Sequence, residues 1–226
     1  RSYVKLPALW TYEDWCEGIR AGRNYVGDGK SHLMEFQATA ESRQVVMGEA
    51  ASELHLTSAG KIRASARVAA WLNLEPSAEA QARPINAKPY WDIERARVGQ
   101  SREVAVELIV NGYPVAKKNI SADGKIQDVN FEVSLEQSSW VALRILPSSH
   151  TNPIFVVVGN QPIRASRRSA TWCLESVDRC WSQKEAFIAS AEMTDAKEAY
   201  GHARAVYRQR LAESTELSVL SLWQGL

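Results

Sequence analysis

Apolar and polar residues alternate along much of the middle of the chain, which is the pattern of half-buried β-strands. The clearest case is residues 61–72, where apolar side chains from Ile62 to Leu72 take every second position and Arg63 and Arg67 lie between them. A period of two residues places one set of side chains in a core and the other in solvent. The same reasoning predicts further strands at residues 33–38, 103–110, 113–120, 126–135, 140–146 and 154–158.

Turn residues separate these strands at short intervals. Asn111-Gly112 lies between two apolar runs and predicts a tight hairpin, and Asp123-Gly124 predicts the next turn. Residues 75–90 contain three prolines and predict a long loop, and residues 147–153 predict a shorter one. The pattern as a whole predicts a mainly β protein with some α, built on an antiparallel β-sandwich of the immunoglobulin-like or jelly-roll-like kind.

Helical periodicity occurs at the two ends of the chain. Thr11, with Asp14 three residues later, predicts the start of a short helix over residues 11–21, and Gly22 predicts its end. Apolar residues recur at spacings of three and four over residues 167–182 and 184–211. This predicts a long C-terminal helical tail or helical hairpin, whose apolar stripe must pack against something. Residues 214–226 follow neither pattern clearly.

The chain begins at Arg1, and its first methionine is Met34, so we expect it to be part of a longer protein. We predict that residues 1–30 form the end of a preceding N-terminal domain with a linker. Residues 31–165 are predicted to form the sandwich, and residues 166–226 the helical tail.

Charge and composition exclude several classes of partner. The 27 basic and 26 acidic residues leave a net charge of +1, which argues against nucleic acid as a partner. No apolar run approaches the roughly 20 residues that span a bilayer, so no membrane is expected either. The three cysteines are expected to be buried free thiols. The sequence does not indicate in which cellular compartment the protein acts.

Catalytic motifs are not found in the sequence. The four histidines and three cysteines are not spaced as metal ligands, and the chain has neither a nucleophile elbow nor a phosphate-binding loop. We therefore predict no catalytic residue, no metal ligand and no cofactor in this chain.

Two polar loops are the best candidates for ligand-binding or interdomain residues. One covers residues 28–32 and contributes Asp28 and His32, and the other covers residues 148–152 and contributes His150 and Asn152. Such groups, held by rigid strands, could bind a ligand or brace a neighbouring active site. Alternatively, they satisfy backbone groups within their own turns.

Eight tryptophans raise the alternative of a carbohydrate-binding module, because sugars stack on exposed aromatic rings. Trp71 falls on the polar face of its strand and is expected to be exposed. Most of the other tryptophans are expected to lie in the core.

Several segments resemble the C-terminal region of PHP-type metallohydrolases of the CehA/McbA kind. Residues 15–29, which read WCEGIRAGRNYVGDG, are similar to the junction that follows the catalytic domain in that family. Residues 138–144 (SSWVALR), 148–153 (SSHTNP) and the tail over 172–207 are similar to its C-terminal extension.

The resemblance implies a parent protein that is a metal-dependent hydrolase, with a divalent metal held by ligands upstream of this junction. It assigns no catalytic role to any residue of this chain. The expected function is that of a non-catalytic C-terminal accessory domain, whose partner is its own N-terminal catalytic domain. Two alternatives stay open: a carbohydrate-binding module, and a dimerisation module in which the helical tail forms a homo-oligomer.

Overall fold

The structure, a computed structural model, describes residues 1–84 and 86–215. The chain divides into two compact units, of which the first covers Arg1–Pro162 and the second begins at Ile163. The first unit is a β-sandwich and the second is a helical hairpin, so the predicted fold class, mainly β with α, is confirmed.

The first unit contains twelve named strands and two α-helices among the described residues. In chain order these are β1 (Ser2–Val4), α1 (Tyr12–Arg20), β2 (Asn24–Gly27), β3 (Ser31–Ala40), β4 (Arg43–Val46), β5 (Glu53–Leu56), β6 (Gly60–Ala70), α2 (Ala78–Ala82), β7 (Glu103–Val110), β8 (Tyr113–Ser121), β9 (Gln127–Leu135), β10 (Ser139–Ile145), β11 (Ser149–Thr151) and β12 (Ile154–Val158).

Two sheets form the sandwich. The smaller has the order β4-β3-β6-β9. The larger has eight strands in the order β1-β2-β11-β10-β12-β5, with the β7–β8 hairpin joined to β10 through β7. The strands pair antiparallel as predicted, with one exception, because β12 and β5 run parallel.

The core lies between the two sheets and is made by the inward residues of each alternating strand. On the smaller sheet Ile62, Val68 and Phe131 are buried, and on the larger sheet Leu108 and Leu143 are fully buried. The alternation in the sequence therefore predicted the core face of these strands correctly. Burial of such side chains is worth about 1.5–3 kcal/mol each, so this interface supplies most of the stabilisation of the unit.

Local signals at the ends of elements also agree with the structure. Thr11 caps α1, accepting from the amide of Asp14, whose carboxylate accepts in turn from the amide of Thr11. Asn111 and Gly112 both have positive φ, as a two-residue hairpin turn requires. The Asn111 side chain also accepts from the Trp140 amide, at 3.0 Å, which fixes this turn to β10.

The structure corrects the predicted boundary at residue 31. Residues 1–30 contribute β1 and β2 to the larger sheet, so they belong to the compact unit that ends at Pro162. The predicted loop at 147–153 contains the short strand β11, which joins β2 to β10. The short strands β4 and β5 were not predicted. A role of residues 1–30 at the junction with a preceding domain stays a prediction.

The predicted loop at 75–90 is part of a longer excursion between β6 and β7. It contains α2 and a 3-10 turn at Ile93–Ala96. Glu94 and Arg97 form an ion pair inside it, with the two side chains 7% and 0% exposed. Arg97 also donates to the carbonyl oxygens of Ser101 and Asn73, each at 2.9 Å, so the pair links the start and the end of the excursion.

The second unit is a pair of helices, α3 (Arg167–Lys184) and α4 (Met193–Glu213). The prediction of two helices is confirmed, but the second begins at Met193 and not at residue 184, because a 3-10 turn at Glu185–Phe187 follows α3. The segment 214–226, which the sequence pattern left ambiguous, lies largely outside the described residues, which end at Thr215.

Polar contacts hold the two helices together. Arg204 pairs with Asp178 at 2.6 Å, and the Tyr200 hydroxyl lies 3.1 Å from Cys180 Sγ. Of the described residues in the two helices, Ala170 alone is buried. The cysteines are free thiols as predicted, but they are not buried, since Cys16 is exposed and the other two are partly exposed.

Candidate functional site

The outer edge of the larger sheet carries an unusual face of aromatic and basic side chains. β1 and β2 pair antiparallel with Tyr3 opposite Tyr25, and the Lys5 amide continues the pairing by donating to the Arg23 carbonyl at 3.0 Å. Because alternate strand residues share a face, Tyr3, Lys5, Arg23 and Tyr25 lie on the same side of this ladder. The two tyrosine rings stack with their centroids 5.0 Å apart.

His32 of β3 completes this aromatic cluster. Its Nδ1 lies 2.7 Å from the Tyr25 hydroxyl. Its ring packs edge-on against the ring of Tyr3, with the two centroids 4.8 Å apart. Burial raises the pKa of Tyr25 to about 12, with a further contribution from Tyr3, so the phenol keeps its proton. Burial also lowers the pKa of His32, against the opposing charge of Asp28. The lowered pKa favours the neutral ring at pH 7.

Asp28 has a local structural role beside this cluster. Its Oδ1 accepts from the Lys30 amide at 2.7 Å and from the Ser31 hydroxyl at 3.4 Å, which closes the turn between β2 and β3. Ser31 Oγ is in turn hydrogen-bonded to Ser148 Oγ. The two polar loops that the sequence predicted separately are thus joined in the structure through their serines.

His150 and Asn152 lie on the other side of β2. β11 pairs with β2 with His150 opposite Val26, so the exposed imidazole lies on the face away from Tyr25. The Asn152 amide donates to Asn24 Oδ1 at 2.9 Å and contacts the Gly22 carbonyl at 3.3 Å. The four predicted residues therefore lie around β2. The charge of Asp28 acts on His32, His150 lies on the face away from Tyr25, and Asn152 braces the entry to β2.

A cleft of about 380 Å³ opens between the β1–β2 ladder and the β3–β4 hairpin. It is lined by Tyr3, Val4, Lys5, Leu6, Arg23, Tyr25, Met34, Glu35, Phe36, Val46 and Met47. Glu35 lies at a β-bulge in β3 and has a φ of 53°, a left-handed conformation that side-chain-bearing residues adopt rarely. Such bulges and strained residues recur beside functional sites.

The cleft was not predicted from the sequence because residues 1–30 were assigned to a different domain. The signal that could have found it is the alternation of Tyr3 with Lys5 and of Arg23 with Tyr25, which marks the shared face of two short strands. No sequence pattern indicated that these two strands pair with each other, because α1 lies between them in the chain.

A second feature is an apolar patch at the start of α1. Leu9, Trp10 and Tyr12 are 93%, 59% and 70% exposed, and Ile19 of the same helix is also exposed. Elsewhere on the same helix, Gly18 packs against Val4 of β1. Clusters of exposed large apolar side chains mark interaction surfaces in soluble proteins.

The tryptophans correct the prediction that most of them lie in the core. Among the seven in the described residues none is buried, and Trp10, Trp71, Trp91 and Trp172 are exposed. The expectation that Trp71 is exposed is confirmed. Trp91 meets Tyr90 edge-on at 4.6 Å, so the excursion between β6 and β7 also presents an aromatic pair. Carbohydrate binding stays a prediction.

The described part of the chain contains no group of three or more His, Cys, Asp or Glu side chains placed to hold a metal ion. Within the same residues, no helix is both long enough and apolar enough to cross a membrane. A scan against protein-family models and a search of curated proteins each found no match to this chain.

The lowered pKa of His32 gives a first prediction. The folded state disfavours the protonated ring, so between the lowered pKa and about 6.5 the unfolded chain binds more protons. The contribution of His32 to stability is therefore complete above about pH 6.5 and is lost as the pH falls through the folded-state pKa. An NMR titration should give a His32 pKa below 6.5, and Asp28→Asn should lower it further. A value above 6.5 would contradict this description of the cluster.

Proposed function

We propose that this chain is a non-catalytic accessory domain that packs on a metal-dependent hydrolase domain of the same protein through the apolar patch at α1. The observation that carries the proposal is the exposure of Leu9, Trp10 and Tyr12, three large apolar side chains within four residues. Exposure of this kind is costly in water and is relieved by burial against a partner surface.

The position of the patch favours a partner within the same protein. It lies on the segment before β2, and residues 15–29 are those that resemble the junction after the catalytic domain of PHP-type metallohydrolases. A divalent metal would then be held by that upstream domain. Interfaces between domains of one chain typically bury about 600–1,500 Å². The helix α1 and the loop before it would form part of an interface of this size.

The test is binding between this chain and the separately produced upstream domain of its parent, measured by calorimetry. The double variant Trp10→Ser, Tyr12→Ser should weaken binding by about tenfold or more, since truncated aromatic anchors commonly cost more than about 1.4 kcal/mol each. Trp71→Ser, which removes an exposed tryptophan elsewhere on the unit, is the matched control and should have no effect. Equal binding by both variants would refute the role of the patch.

Dimerisation through the helical hairpin is a second candidate, favoured by the near absence of buried side chains in its described residues. α4 has no buried residue, and Trp172 and Phe187 are exposed. Two antiparallel helices without a core are not expected to be stable in water, because helices gain most of their stability from packing. Pairing of two hairpins would give a four-helix bundle with an apolar centre.

Light scattering on the intact chain tests this second candidate. A dimer is expected, and Trp172→Glu should convert it to a monomer because a carboxylate would have to be buried at the new interface. Gln183→Glu, which adds the same single negative charge at an exposed position of α3, is the control for a charge change alone. A monomer at all concentrations would rule out dimerisation through the hairpin.

A further inference from the structure

We infer that the cleft between the β1–β2 ladder and the β3–β4 hairpin binds a small organic carboxylate that carries a flat apolar group. This site is separate from the apolar patch of the proposed function. Its volume of about 380 Å³ falls within the usual range of ligand pockets, which begins at about 300 Å³.

Arg23 is the first reason for an anionic ligand. Its Nε is inaccessible to solvent and has no hydrogen-bond partner among the residues that the structure describes. A buried donor without an acceptor is costly, and nearly all such donors in folded proteins are satisfied. Arg23 also lines the cleft, and its planar guanidinium matches the two oxygens of a carboxylate, whose charge offsets that of a cation with an unsatisfied donor.

The charges around the cleft also favour an anionic ligand. Lys5 and Arg23 contribute two positive charges from one face of the ladder. The carboxylate of Glu35 at the opposite wall lies 3.6 Å from the Arg67 guanidinium, which offsets its charge. An anion that enters the cleft is therefore attracted by the lining, and an uncharged analogue of the same shape is not.

The other residues that line the cleft favour an anion that also carries an apolar group. Tyr3 and Tyr25, whose rings stack on each other, line the cleft together with the buried residues Phe36 and Met47. Aromatic side chains bind flat groups by stacking or edge contacts. Inorganic phosphate would leave these apolar surfaces uncovered, so the lining favours a carboxylate with an aromatic substituent.

The test is a calorimetric and NMR titration of the intact 226-residue chain with 3-phenylpropionate and, separately, with 3-phenylpropionamide. The two probes have closely similar shapes and differ in charge. We expect the carboxylate to bind at least about tenfold more tightly than the amide and to shift the resonances of Tyr3, Tyr25 and Phe36. Equal binding of the two probes, or shifts confined to other regions, would overturn the inference.

Variants assign the effect to the guanidinium. Arg23→Gln should abolish the difference between the carboxylate and the amide, and Arg23→Lys should retain part of it. Arg63→Gln, which removes an exposed arginine from the outer face of β6, should leave both affinities unchanged. If Arg23→Gln impairs folding, Tyr3→Ala provides the independent test and should weaken both probes. Undiminished carboxylate binding by Arg23→Gln, or by Tyr3→Ala where Arg23→Gln does not fold, would overturn the inference. Binding of an acidic peptide at this cleft without binding of the small carboxylate would overturn it as well.

Discussion

Replacing Arg97 with methionine is expected to lower the free energy of unfolding by about 3–5 kcal/mol. Arg97 is fully buried and pairs with Glu94 at 2.6 Å, and its guanidinium also donates to two backbone carbonyls. Methionine leaves the Glu94 carboxylate and both carbonyls without these donors in a site shielded from water. Urea unfolding monitored by circular dichroism measures the loss.

Two controls separate the buried pair from the general effect of a charge change. Lys61→Met removes one partner of the exposed Lys61–Glu132 pair and should cost less than about 1 kcal/mol. The double variant Glu94→Leu, Arg97→Met removes both charges and should recover part of the loss, because the unpaired carboxylate is then absent. A loss below about 1 kcal/mol for Arg97→Met alone would show that the pair does not hold the excursion.

The same pair predicts how acid acts on the protein. Burial alone would raise the pKa of Glu94, but the hydrogen bonds from Arg97 and from the Ser77 amide hold it below its ordinary value of 4.5. A carboxyl with a lowered folded-state pKa contributes stability that is present above about pH 4.5 and is lost as the pH falls through the lower value. Unfolding measured between about pH 6 and pH 3 should show this decline, and the double variant should show less of it.

Gly48→Ala is the second substitution with a large expected effect, at about 2–5 kcal/mol of destabilisation. A methyl group at this position would lie 2.1 Å from Cγ and 2.5 Å from the backbone nitrogen of Arg23. Gly48 also has a φ of +82°, which disfavours any side chain. The backbone after β4 therefore approaches Arg23, the residue before β2, closely only because residue 48 is glycine.

Gly99 provides the matched control for this effect. It too has a positive φ, +58°, but a methyl group there would have no neighbour within 4 Å among the described residues. Gly99→Ala should therefore show only the conformational part, about 1–2 kcal/mol. Thermal or urea unfolding of the two variants gives the steric part as their difference. Equal losses at both positions would contradict the close approach of Gly48 to Arg23.

The long strands could be predicted because their signals are local. Ile62 and Val68 alternate with exposed residues along β6, and Asn111-Gly112 carries the turn chemistry of a hairpin. The short strand β11 could not be predicted, since it has only three residues and its pairing is set by β2 and β10. In such cases tertiary contacts decide the conformation more than residue preference does.

The candidate site was predicted only in part for a related reason. Asp28 and His32 were found as polar residues of one loop, and in the structure the charge of Asp28 acts on the His32 ring. Tyr3 and Tyr25 were not found, because they meet only when β1 pairs with β2 across the intervening helix. His150 was found in a separate polar loop, and the two-residue period of β11 and β2 directs it to the face away from Tyr25.

Hydrogen exchange across residues 9–20, measured by mass spectrometry, tests the accessory-domain account most directly. The isolated chain should exchange the amides of this segment readily, because α1 is short and presents exposed apolar side chains. In the parent protein that the proposal requires, the same amides should exchange at least about tenfold more slowly, while those of β6 are unchanged. Equal exchange of residues 9–20 in the isolated chain and in the parent would contradict the account.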